Sequence, residues 1–342
     1  SLTLKDTLNW GSVMVAITNP LYLKKGFQFR FKNYATVSGN LDHWHIDYVY
    51  LNRFRKATNT VFEDVSYVYD HPPLIKTYSA MPWKQYTTAF AQAEVTTVFR
   101  NNSSAGKNVS SAYKITDGNG TTFFSLPLNA KNVSPFLQSG YFKDVLSGIT
   151  AFPMLTGPTT YRAQAYVTSP PDLKTKNDTL YFEQKFGNYF AYDDGSAESS
   201  YALTQVNAQF AIKYQLNVPD SLRYVDVYFN PVLTNAADYT FNLKVWADAG
   251  GTPGSEVSVS RTLKPRYSMA GQNTIIRYGL DAPLGLPAGV FYVGFIQNTN
   301  KPLGIGLDVN NNNQFNTFYN LGKGWNTAPY PGAAILHPVF GR

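Results

Sequence analysis

The chain has 342 residues, room for one large core or two smaller ones. Aromatics and charged residues each make up 15% and hydrophobic residues 44%, which excludes a disordered chain and points to an ordered, β-rich protein of extracellular type. The lack of cysteine excludes disulfides, thiolate zinc sites and thiol catalysis.

The net charge of +7 is uneven: residues 1–174 carry 17 Lys and Arg against 10 Asp and Glu, while residues 175–342 carry 12 of each. Two basic clusters, Lys24/Lys25/Arg30/Lys32 and Arg53/Arg55/Lys56, suit either a solvated strand edge or attraction to anionic polysaccharide or headgroups. No nucleic-acid-binding motif accompanies them, so no nucleic-acid partner is expected. No apolar run approaches the roughly 18 residues of a spanning helix. No signal peptide opens the sequence, and Ser1-Leu2-Thr3-Leu4 already reads as strand, as expected of a processed or trimmed chain.

In chain order, the turn signal Asn19-Pro20 precedes Gly26 to Lys32, whose Phe27, Phe29 and Phe31 alternate as in a strand. After Ser38-Gly39-Asn40 comes His43-Trp44-His45-Ile46-Asp47, holding two of the four histidines. On a strand, His43, His45 and Asp47 share one face. The plain reading is a half-buried strand; the chemical ones are a ligand pair at His43 and His45, or a metal on His45 and Asp47. The metal would need a remote third ligand, His71 or His337. Ser66 to Tyr69 is a further alternating strand, and Thr88 to Val95 is the best, though short, helix candidate.

Turn signals recur at Asp117 to Gly120, Asp194-Gly195 and Ala249 to Gly251. Such punctuation predicts an all-β protein of two tandem β-sandwich, jelly-roll-like domains with few or no helices. The division is placed at Thr168-Ser169-Pro170-Pro171-Asp172-Leu173-Lys174, giving a basic domain over 1–174 and a neutral one over 175–342. A weak repeat supports the pairing: Ile46 to Asn52 matches Val225 to Asn230 if Tyr48 is an extra residue, which predicts a β-bulge near Asp47-Tyr48.

Phe190-Ala191-Tyr192-Asp193-Asp194-Gly195-Ser196-Ala197-Glu198, Gly289 to Gln297, Gly306 to Asn311 and His337 to Gly341 stand out in the second half. With Asp42 to Val49 and Met81-Pro82-Trp83, they resemble segments of large secreted and cell-surface proteins of the Bacteroidota. The resemblance covers most of the chain. It implies export by the type IX secretion system of gliding bacteria, a β-sandwich architecture and an extracellular or outer-surface location, but no established chemistry. Such proteins commonly continue into a sorting domain beyond the point where Arg342 stands. Asp6-Thr7-Leu8, Asp178-Thr179-Leu180 and Asp220-Ser221-Leu222 also fit the short O-glycosylation pattern of that group.

Asp193, Asp194 and Glu198 place three carboxylates within six residues and could hold Ca²⁺, although the same pattern makes a plain turn. Asp308 to Asn313 is no EF-hand, because Asn313 and Tyr319 stand where Gly and Glu are required. Of the tryptophans, Trp83 and Trp325 sit in loop-like contexts suited to stacking on sugars, whereas Trp246 reads as core. The role expected is non-catalytic binding or adhesion, with surface glycans or other surface proteins as partners. The alternatives are an accessory subunit of a surface or secretion assembly, and a metal-dependent jelly-roll enzyme.

Overall fold

Where a second sheet covers one face of a strand, burial follows the period-two pattern. Lys107–Thr116 alternates buried and open positions along its whole length, and Thr159–Thr168 does so over most of its own. The structure is a computed structural model that describes residues 11–34, 44, 46, 48–59, 62–172, 174–231, 239–259, 261–268 and 273–341.

The strands of the first part are β1 Val65–Tyr67, β2 Ala80–Pro82, β3 Glu94–Asn101, β4 Lys107–Thr116, β5 Thr122–Pro127, β6 Lys131–Val133, β7 Phe142–Ser147, β8 Thr159–Thr168 and β9 Thr179–Gly187. There follow β10 Ser199–Tyr201, β11 Gln209–Leu216, β12 Asp220–Val227, β13 Phe241–Ala249, β14 Thr252–Val259, β15 Ile276–Leu286 and β16 Gly289–Gln297. The last are β17 Ile305–Asp308, β18 Thr317–Asn320, β19 Trp325–Thr327, β20 Ala333–Ala334 and β21 Leu336–Phe340. Among the described residues, helix is confined to α1 Phe136–Ser139 and short 3-10 turns, so the all-β expectation holds.

One sheet runs β2-β9-β8-β4-β5, with β6 also on β4, and lies with the small sheet β1-β3-β7. Tyr113, Ile115, Tyr161 and Phe186 of the first share a buried cluster with Val95 and Leu146 of the second. The other large sheet, β14-β13-β16-β11-β18-β19, packs on β15-β12-β21. Rings cross between these two sheets: Phe241 lies 5.3 Å from Tyr278, and Phe291 5.8 Å from Phe340. A last small sheet, β10-β17-β20, completes the second part.

The two parts share one continuous buried cluster. Tyr78 packs its ring 4.8 Å from Phe190 and 4.9 Å from Tyr192. The fully buried amide of Gln85 accepts from the backbone N–H of Asn217 at 2.8 Å and of Val218 at 3.1 Å. The expected division at 168–174 falls inside a hairpin: β8 and β9 pair antiparallel from Thr159↔Phe186 to Tyr166↔Thr179. The Pro170-Pro171 bond there is cis. Pro-rich composition marked a tight return of the chain within one sheet, so that sheet continues to Gly187.

Three local expectations also change. Phe27 stacks on Phe29 and Phe31 meets Phe29 edge-on, but Gly26 to Lys32 joins no ladder, and Phe29 and Phe31 stay more than half exposed. Tyr48 to Asn52 likewise form no strand, and Tyr48 has φ +49°; Asp47, the other residue of the expected bulge, lies outside the described residues. The bulge lies in the matching second-half strand, where both neighbours of β12 shift register between Leu222 and Tyr224. The expected face there is correct: Val225, Val227 and Phe229 are all buried. The helix candidate at Thr88 to Val95 is a single 3-10 turn, Thr88–Phe90, followed by β3.

Candidate functional site

His43, His45 and Asp47 lie outside the described residues. Both proposed remote ligands are committed elsewhere. His71 is stacked between Tyr113 and Phe182 at 5.6 and 5.7 Å. Its Nδ1 lies 2.6 Å from the Pro72 carbonyl, which can only accept, so Nδ1 carries the proton and Nε2 accepts from the Tyr113 hydroxyl at 3.0 Å. Burial lowers its pKa to about 4, which keeps the ring neutral. His337 is buried with Nε2 at 2.8 and 3.0 Å from the two Asp193 carboxylate oxygens.

That pair begins a knot joining three of the four segments singled out in the second half. Asp193 turns inward to His337 and also accepts from Gly195 N–H at 3.0 Å, with Gly195 at φ +94°. Asp194 folds over the turn to accept from Ser196 N–H at 2.8 Å. Glu198 accepts from Val309 N–H at 3.1 Å. Asp308, fully buried, accepts from the N–H groups of Asp194, Asn310 and Asn311 at 2.9, 2.8 and 3.1 Å. Gly306 lets Tyr228 approach, since a Cβ there would lie 2.3 Å from its ring. The three carboxylates expected to hold calcium are therefore occupied by turn and loop donors, and they do not converge on a common point.

Trp83 and Trp325 are both half-buried. Trp325 packs edge-on against Trp246 at 5.3 Å and covers the outer face of the large second sheet, with Tyr292 and Phe318 beneath. Trp83 lines a small cleft with Lys84, Asn188 and Asp220. The cleft encloses about 260 Å³.

A larger groove, of about 640 Å³, was not anticipated. Tyr48, Tyr50, Phe62 and Tyr67 line it, with Lys174 and Lys176 beside them. The Lys174 ammonium lies 4.5 Å from the centre of the Tyr50 ring, and the Arg55 guanidinium 4.9 Å from it. Thr175–Asn177, the 3-10 turn between β8 and β9, forms one wall.

Beside that wall three carboxylates converge. Oxygens of Asp64, Asp172 and Asp178 all lie within 4.8 Å of one another. Asp64, fully buried, accepts from Tyr48 Oη at 3.0 Å and from Asn102 Nδ2 at 2.6 Å. The Asn177 amide adds a longer contact at 3.2 Å. Asp172 accepts from the N–H groups of Val65 at 2.9 Å and Lys174 at 2.8 Å. Asp178 differs, because its buried Oδ1 has no hydrogen-bond partner. Burial, then the charges of Asp172 and Asp64, raise its pKa to about 7. Among the described residues, none of the three pairs with Lys or Arg.

The sequence held part of this. Glu63-Asp64 immediately precedes β1, and Asp172 and Asp178 flank the turn after Pro170-Pro171, but only the fold brings positions so far apart together. Asp178 stood in a proposed glycosylation pattern and is itself buried. Compared with known proteins, the chain matches no family model and no curated sequence.

Proposed function

We propose that this is a non-catalytic binding protein of the bacterial surface or its surroundings, taking up glycan in the groove between Tyr48 and Tyr67. One observation carries the reading: an open groove of about 640 Å³ lined by aromatic rings and flanked by cationic and amide groups. Aromatic faces suit the apolar C–H faces of sugars, and ligand sites typically span about 300–1,000 Å³. Arg55, Lys174 and Lys176 favour a glycan bearing carboxylate or sulfate groups. The surface location rests on the resemblance to exported Bacteroidota proteins. Among the described residues no helix is long and apolar enough to cross a membrane.

A glycan array tests the reading, using wild type, Tyr50→Ala, Trp83→Ala and Trp325→Ala. Acidic glycans are expected to bind wild type and to be lost in Tyr50→Ala only. Loss in Trp83→Ala alone moves the site to the smaller cleft, and an array without hits refutes glycan recognition.

A second reading, an accessory subunit of a surface assembly, is favoured by the exposed rings of Phe29, Phe31, Tyr34 and Phe54. Native pull-down from outer membranes tests it. A defined, stoichiometric complex lost on Phe29→Ser/Phe31→Ser supports this reading, and recovery of the chain alone refutes it.

A further inference from the structure

We propose that Asp64, Asp172 and Asp178 form a binding site for a hard divalent cation, calcium before magnesium, built from residues other than those of the turn at 193–198. The donors are all oxygens, with no nitrogen or sulfur ligand among them, which selects hard cations over zinc, copper or nickel. Ligand oxygens about one Ca²⁺ stand about 2.3–2.6 Å from the ion, so they lie within about 5 Å of each other. The observed convergence within 4.8 Å meets that condition.

A cluster of acids is not by itself a site, and the second observation is the state of Asp178. Asp64 and Asp172 each accept hydrogen bonds from neighbouring donors. Asp178 is 93% buried, since its relative exposure is 7%, and it is aimed into the cluster with an oxygen that nothing donates to. An unsatisfied buried carboxylate next to two others is costly, and a protein of this kind retains one only when something neutralises it. A proton on Asp178 removes the charge but leaves Oδ1 without a donor. A cation satisfies all three residues at once. The Asn177 side-chain oxygen, one residue before Asp178, is also buried and unpartnered.

Asp172 and Asp178 flank the turn Thr175–Asn177, and Tyr48 donates to Asp64, so the ion ties together two walls of the groove. That consequence rests on the proposed function; the cation site does not.

The experiment uses the full chain after EDTA treatment and desalting. Calcium and magnesium are each titrated calorimetrically, and Tb³⁺ luminescence is excited through tyrosine. One equivalent of calcium is expected to bind with a Kd on the order of 0.1–1 mM, as in extracellular modules. Calcium should displace Tb³⁺ and raise Tm by several degrees. Binding should weaken at least tenfold in Asp178→Asn and in Asp172→Asn, and remain unchanged in Asp194→Asn. A wild-type chain with no heat, no sensitised Tb³⁺ emission and no shift in Tm at 5 mM calcium or magnesium overturns the proposal, whatever the variants do. So does wild-type affinity in a folded Asp178→Asn protein, or loss of binding in Asp194→Asn alone. Because these readouts need no glycan, a failed array leaves them standing, and their failure leaves the glycan reading standing.

Discussion

At the scale of single residues, two buried titratable groups make opposite demands on pH. The Asp178 carboxyl is raised from 3.8 to about 7 by burial and its acidic neighbours. Its contribution is fully present below about pH 4 and is lost as pH rises through about 7. In EDTA, Asp178→Asn should therefore raise Tm by about 3 °C at pH 8 and change it little at pH 4. A stability loss at pH 8 in EDTA would contradict this. His71 is lowered from 6.5 to about 4 by burial, so its contribution is present above pH 6.5 and is lost as pH falls through 4. His71→Gln can still donate to Pro72 and accept from Tyr113. Its urea midpoint should fall less than that of wild type between pH 7 and pH 4, and parallel profiles would contradict the assignment. Neither behaviour is legible in the sequence, where His71 looked like a metal ligand and Asp178 like part of a modification pattern. Burial decides both, and burial is a property of the assembled sheets.

At the scale of elements, three of the recognisable second-half segments, at 190–198, 306–311 and 337–341, meet at one knot. Asp308 receives three backbone N–H groups there and the Asn311 amide at 2.8 Å. Asp308→Ala leaves those donors without an acceptor and should cost about 3 kcal/mol, read from urea unfolding. Near-wild-type stability would show that water or neighbours replace the carboxylate. Strand alternation was legible wherever a facing sheet exists, as at Val225, Val227 and Phe229. It misled at Phe27 to Phe31, because alternation describes a strand's two faces and says nothing about its partner. The histidine-bearing stretch itself lies outside the described residues, while its neighbours Tyr48, Val49 and Tyr50 join no strand and line the groove. The carboxylate site was illegible because Asp64, beside β1 of one sheet, meets Asp172 and Asp178, in the β8–β9 connection of another, only once the two sheets pack.

At the scale of the whole molecule, the all-β class and sandwich packing follow from composition and turn spacing, but the seam expected at 168–174 lies inside a β8–β9 hairpin. Tyr78 and Gln85 carry the first part's core and hydrogen bonding into the second. Calorimetry should accordingly show one cooperative unfolding transition, and two well-separated transitions would contradict the shared core. The basic excess of the first part also has a destination, because Arg55, Lys174 and Lys176 stand at the groove. Binding of an acidic glycan there should weaken as salt rises from 50 to 500 mM. The groove's role is tested most directly by the affinity of wild type, Tyr50→Ala and Lys174→Ala for the strongest array ligand, measured calorimetrically in calcium-containing buffer. At least tenfold weakening in both variants, with folding unchanged, is the expected result. Affinity equal to wild type in both would contradict a binding site at the groove.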